Sequence, residues 1–252
     1  MSVALLNPQP DAERAIRVDL AAAYRLVALY GWDDLIFTHI SARVPGPEHH
    51  FLINPYGMLF EEITASSLIK IDLEGTPISQ SPYPVNPAGF TIHSAIHEAR
   101  EDVGCVMHLH TLDGTAVATS TEGLQPLNQT AQLVIGDLAY HDYEGVALDL
   151  AERPRLQQDL GTKNLMLLRN HGTLAVGRNC ADAFQRMYYL ERACSMQVRT
   201  RILGHDDHKT AQSVIDKNVA LGQGEGMSRL ADKLVWPALL RKLDRLDSSF
   251  RD

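Results

Sequence analysis

Residues 103–110 read Val-Gly-Cys-Val-Met-His-Leu-His, an apolar run that finishes in two histidines, His108 and His110. Alternate side chains of a strand share a face, so a His-x-His pair at a strand's end sets two imidazoles side by side, their Cα atoms about 6–7 Å apart. That spacing suits two bonds to one metal ion, because imidazole binds zinc, iron, copper and nickel well. A third histidine, His171, stands at a sharp Asn170-His171-Gly172 break between two apolar runs. Two strand histidines and one turn histidine leave positions open on an ion, as a catalytic site requires. Such pairs also arise by chance among 11 histidines; the apolar strand ahead of the pair and the tight turn at His171 favour ligation.

Working outward, 252 residues with 45% hydrophobic content can bury a sizeable core. The formal net charge of -8 and the lack of any Lys/Arg-rich stretch argue against nucleic acid and membrane surfaces as partners. No run of 18 apolar residues exists, and the N-terminus has neither a basic region nor a long apolar one, so no membrane span or secretory leader is expected. Cys105, Cys180 and Cys194 are widely spaced and odd in number, which fits reduced, buried thiols and a cytoplasmic location.

The first helix spans 11–30, with Asp11 as N-cap and Gly31 as stop. Strands over 35–44 and 51–54, separated by a turn-rich segment holding His49 and His50, predict an antiparallel hairpin. A strand at 68–72 follows, then a helix at 88–100 that places His93 and His97 on one face. Further helices are expected at 112–120, 129–135, 150–159 and 181–203, with 138–145 of mixed character and a strand–turn–strand at 164–176. His205 and His208 lie in a polar linker, and 236–246 forms a short amphipathic helix. The fold class is α/β, a central sheet that is mixed or mostly antiparallel with helices on its faces. The predicted organisation is one domain over residues 1–210 with a helical extension, 211–252, packed on it.

With these pieces in place, the chain resembles the class II aldolase/adducin family. The resemblance is carried by Thr38-His-Ile-Ser41, Ile53-Asn-Pro-Tyr-Gly57, His93-Ser-Ala-Ile96, His108-Leu-His110 and Asn170-His-Gly172, and runs over about residues 13–205. It implies a three-layer α/β/α fold and a divalent metal ion held by His108, His110 and His171, zinc first, with iron or manganese as alternatives. It further implies a homotetramer with sites at subunit interfaces. Sugar-phosphate aldolases of the family carry an acidic residue where this chain has Gly89, and their phosphate-binding pair falls on Pro87 and Ala88. Their glycine–asparagine pair falls on Thr38 and His39, so only Ser41 and Gly57 remain of that pocket. Ala88–Ile96, Tyr140–Gly145 and Trp236-Pro237 are similar to the adducin-like branch instead.

The chemistry expected is therefore metal-dependent aldol cleavage or decarboxylation of a small oxo or hydroxy acid, not sugar-phosphate cleavage. The ion would stabilise negative charge on a substrate oxygen. His93 is the first candidate to carry the proton, with His39 and Tyr143 next, and Arg169 and Asn170 are candidates for holding a substrate carboxylate. Two alternatives stand beside it: an inactive oligomeric scaffold of the adducin kind, and a non-haem iron oxygenase on the same fold.

Overall fold

A computed structural model of the chain describes residues 10–204 and 206–252; the side chains of Asp11, expected as an N-cap, and Ala88, and the linker residue His205, lie outside what is described. Leu20, Ala23, Tyr24 and Val27 recur at helical spacing and are fully buried along α1 (Pro10–Leu29). The first strand is shorter than the sequence pattern suggests. Leu35 and Thr38 adopt positive φ (52° and 67°), which breaks the extended backbone, so β1 begins only at His39 (His39–Arg43). It pairs antiparallel with β2 (Phe51–Ile53), as the hairpin pattern requires, and β2 pairs with β3 (Ile69–Ile71). Then come α2 (Pro87–Ala99) and the His-x-His strand β4 (Cys105–Leu109), followed by α3 (Leu112–Thr119) and α4 (Gln129–Val134).

The segment expected to be mixed contains a strand, β5 (Leu138–His141). After it, a 3-10 turn at Leu150–Glu152 leads into α5 (Arg153–Leu160). The predicted strand–turn–strand is present as β6 (Leu165–Leu168) and β7 (Gly172–Gly177), and α6 (Cys180–Ile202) runs behind them. Towards the C-terminus lie α7 (Gln212–Gln223), α8 (Glu225–Leu230), a π-helical turn at Ala231–Val235 and α9 (Trp236–Leu246).

The seven strands form one sheet in the order β3-β2-β1-β4-β7-β6-β5, antiparallel except for β5 with β6. Alternation divides the core between its two faces. Cys105, Met107 and Leu109 join Leu167, Ala175 and side chains of α1, α6 and α9 on one side. Val106, Leu174 and Val176 join Ile92 and Ile96 of α2 and Leu156 and Leu160 of α5 on the other. The result is the three-layer α/β/α arrangement, with β4 in the middle of the sheet. All three cysteines are free and buried. No helix among the described residues is long and apolar enough to cross a membrane.

Candidate metal centre

His108, the penultimate residue of β4, lies on the α2 face, directly opposite His39 of β1 in the cross-strand register, and His110 follows one residue beyond the strand. The β6–β7 turn brings in His171. Its amide donates to the Leu168 carbonyl at 3.1 Å, and Asn170 takes the positive φ (54°) that lets the chain reverse. One ring nitrogen from each of the three histidines lies within 4.8 Å of the others. The three ring centroids are 4.7 to 4.9 Å apart.

Hydrogen bonds fix the tautomers of two of these rings. His108 Nδ1 lies 3.0 Å from the Thr173 carbonyl, so Nδ1 carries the proton and donates it. His110 Nδ1 lies 3.0 Å from Asp34 Oδ2 and donates likewise. With both rings neutral, both Nε2 atoms carry lone pairs, and they face each other at 3.1 Å. Two lone pairs so close repel unless a cation lies between them. Nitrogens bound tetrahedrally to one zinc ion at about 2.0–2.1 Å are about 3.3 Å apart, so the observed pair is set for one ion. Burial, with its neighbours His171 and His110, holds His108 well below the usual histidine range. Burial and His110 bring His171 down to about 4. Neutral imidazoles of this kind are what a divalent ion needs as ligands.

Behind the centre lies a buried layer of further imidazoles. His39 stacks over His108 with ring centroids 6.2 Å apart and touches His93 edge-on at 5.7 Å. The Asn86 amide donates to His39 Nε2 at 2.8 Å, which leaves the ring proton on the buried Nδ1. A Cβ at Gly89 would stand 2.6 Å from His39 Cγ and Cδ2, so the imidazole fills the space beside that glycine. Ser41 Oγ meets His93 Nδ1 at 2.6 Å and His97 Nε2 at 2.8 Å. All three residues are buried, and burial pushes His93 and His97 down to about 3. The structure thus places both His93, expected as a proton carrier, and Ser41, expected as a substrate ligand, in the buried layer behind the imidazole cluster.

The remaining expected residues divide. Tyr143 is half exposed with its ring 6.3 Å from that of His171, at the mouth of the cluster. Asn170 is exposed and shapes the turn. Arg169 is already engaged: its guanidinium donates to the Ser120 carbonyl at 2.8 Å and lies 4.3 Å over the Tyr140 ring. Those contacts tie it to the end of α3. Gly57, at φ 120°, stands in an exposed turn against the Tyr83 ring.

Two acidic residues near the centre escaped the sequence pattern. Asp34 is carried by a turn in which the Phe37 amide donates to the Asp34 carbonyl at 2.8 Å. Glu191 of α6 is buried, with Oε2 accepting from Thr111 Oγ1 at 2.5 Å and Oε1 from Thr173 Oγ1 at 2.8 Å. Burial raises its carboxyl to about 7, against the lowering effect of the two threonine hydroxyls. No signal in the sequence marks either, since Asp34 reads as a turn residue and Glu191 as one charge on a long amphipathic helix.

Residues 18–198 match the model of the "Class II Aldolase and Adducin N-terminal domain". A protein of Caulobacter vibrioides, named provisionally as an aldolase class 2 protein, is 55% identical over 255 residues, covering 100% of this chain and 97% of that one. Mouse alpha-adducin is 46% identical over 214 residues, 79% of this chain but 29% of the adducin. The crystal structure of an aldolase II superfamily protein from Pseudomonas syringae superposes with a TM-score of 0.90 at 47% identity, over 97% of this chain and 98% of that one. The chain belongs to the class II aldolase and adducin family.

Proposed function

We propose that His108, His110 and His171 hold one divalent metal ion, zinc in the first place, and that the protein is a metal-dependent carbon–carbon lyase acting on a small oxo or hydroxy acid. The observation that carries this proposal is the pair of lone-pair-bearing Nε2 atoms facing each other at 3.1 Å, with both Nδ1 protons already committed. A divalent ion there supplies Lewis-acid stabilisation of the negative charge that develops on a substrate oxygen as a carbon–carbon bond breaks.

The chain's own groups divide the remaining work. Asp34 and the Thr173 carbonyl keep the two rings in the tautomer that points Nε2 inward. Tyr143 is the exposed hydroxyl at the mouth and the residue placed to move a proton there. His39 and the enclosed His93 back the centre without reaching solvent. Leu35, Leu112 and Val146 are exposed apolar side chains close in sequence to Asp34, His110 and Tyr143. Their exposure supports assembly as a homotetramer with the sites at subunit contacts.

A second possibility, an oligomeric scaffold without catalysis, is favoured by the similarity to alpha-adducin. Elemental analysis of protein purified without chelator, beside His108→Ala and His171→Ala, decides between the two. About one metal per chain that disappears in both variants, followed by product formation from oxo or hydroxy acids, is the expected outcome. No metal in the native protein and none taken up on addition would overturn the enzyme and leave the scaffold. Iron in place of zinc, with oxygen uptake, would redirect the chemistry to an oxygenase.

A further inference from the structure

His108 and Glu191 lie on opposite faces of the sheet. His108 shares its face with Val106 and Leu174, towards α2, whereas Thr173, opposite Leu109 in the register, points towards α6. From α6 the Glu191 carboxylate accepts one hydroxyl from Thr111, the residue after His110, and one from Thr173, two residues after His171. Thr173 is also the residue whose carbonyl accepts from His108 Nδ1. One carboxylate is therefore tied to the chain segments that carry all three imidazoles.

A second observation points the same way. A Cβ at Gly114 would stand 2.4 Å from Thr111 Oγ1, 2.6 Å from Thr173 Cγ2 and 2.8 Å from Glu191 Oε1, so the glycine clears the space in which these three side chains meet. The carboxyl is 2% exposed, and no Lys, Arg or His ion pair reaches it among the described residues.

We propose that Glu191 is a positioning residue for the metal centre, holding Thr111 and Thr173 from the far face of the sheet so that His108, His110 and His171 converge. The proposal rests on the metal ion inferred above. Its test compares the parent with Glu191→Gln, Glu191→Ala, Thr173→Val and His108→Ala. Zinc affinity is measured by chelator competition, the cobalt-substituted absorption spectrum reports ligand geometry, and the thermal midpoint of the metal-free protein reports folding. Both Glu191 variants should bind zinc at least about tenfold more weakly and alter the cobalt spectrum, as loss of an outer partner does elsewhere. Thr173→Val should move both readouts the same way, while His108→Ala should abolish binding. Should Glu191→Ala fail to fold, Glu191→Gln and Thr173→Val decide. Parent-like affinity and spectrum in those variants, with only a lowered midpoint, would make Glu191 a structural strut and overturn the proposal. A parent that binds no metal would instead remove the metal centre itself, and this proposal with it.

Discussion

Gly89 and His39 share one volume: any side chain at 89 begins 2.6 Å from the imidazole carbons. The acid that sugar-phosphate aldolases carry at this position and the ring that replaces their asparagine are therefore mutually exclusive here. Gly89→Ala should destabilise the protein by about 1–3 kcal/mol through overpacking. Its combination with His39→Ala should cost clearly less than the sum of the single changes, a coupling of at least about 0.5 kcal/mol in a urea double-mutant cycle. Additive costs would mean that the ring simply moves aside. Asp34→Asn acts on metal binding instead. The amide is a weaker acceptor for His110 Nδ1–H, so zinc affinity should fall about 10–100-fold in chelator competition with little change in folding. His108, His110 and His171 were legible from the sequence because strand periodicity and a turn signature are local. Asp34 was not, because it reaches His110 from 76 residues away.

The β6–β7 turn is the element that delivers His171, and its geometry depends on Asn170 at φ 54°. Asparagine tolerates this region, whereas a β-branched residue does not. Asn170→Val should lower stability by about 1–3 kcal/mol. It should weaken metal binding as well, while Asn170→Gly keeps both close to the parent; thermal midpoints and zinc titrations check the pair. Most elements followed from periodicity and turn residues. The exceptions have physical causes. The strand pattern over 35–44 was interrupted by two left-handed residues, Leu35 and Thr38, which no propensity marks. In 138–145, Leu138–His141 becomes a strand because β6 offers it a parallel edge, a long-range pairing that its own composition does not announce.

At the scale of the whole molecule, His93 and His97 make stability depend on pH. Both are neutral in the fold, held at about 3, and return to about 6.5 when unfolded. Below pH 6.5 the unfolded chain takes up protons that the folded chain refuses, so stability is complete above that pH and falls as the pH drops towards 3. The loss should be about 2 kcal/mol per histidine between pH 6.5 and 5. Urea midpoints of chelator-treated protein at pH 7, 6 and 5 should show it, and His97→Gln should flatten the slope; a parent curve flat down to pH 5 would disprove it. The fold class was readable from alternating helical and strand patterns, but the burial of these histidines behind His108 was not, since four-residue spacing alone cannot tell a packed face from a reactive one. The position of β4 in the middle of seven strands has a kinetic consequence. Central strands open to solvent only when most of the sheet opens with them. His108, anchored in β4, should be in a segment among the slowest in the chain to exchange amide hydrogen, and His171, in a three-residue turn between the buried strands β6 and β7, is tied to the same sheet. An ion held by these three histidines would then have no single loose ligand to leave by, so its residence time should follow the opening of the sheet itself.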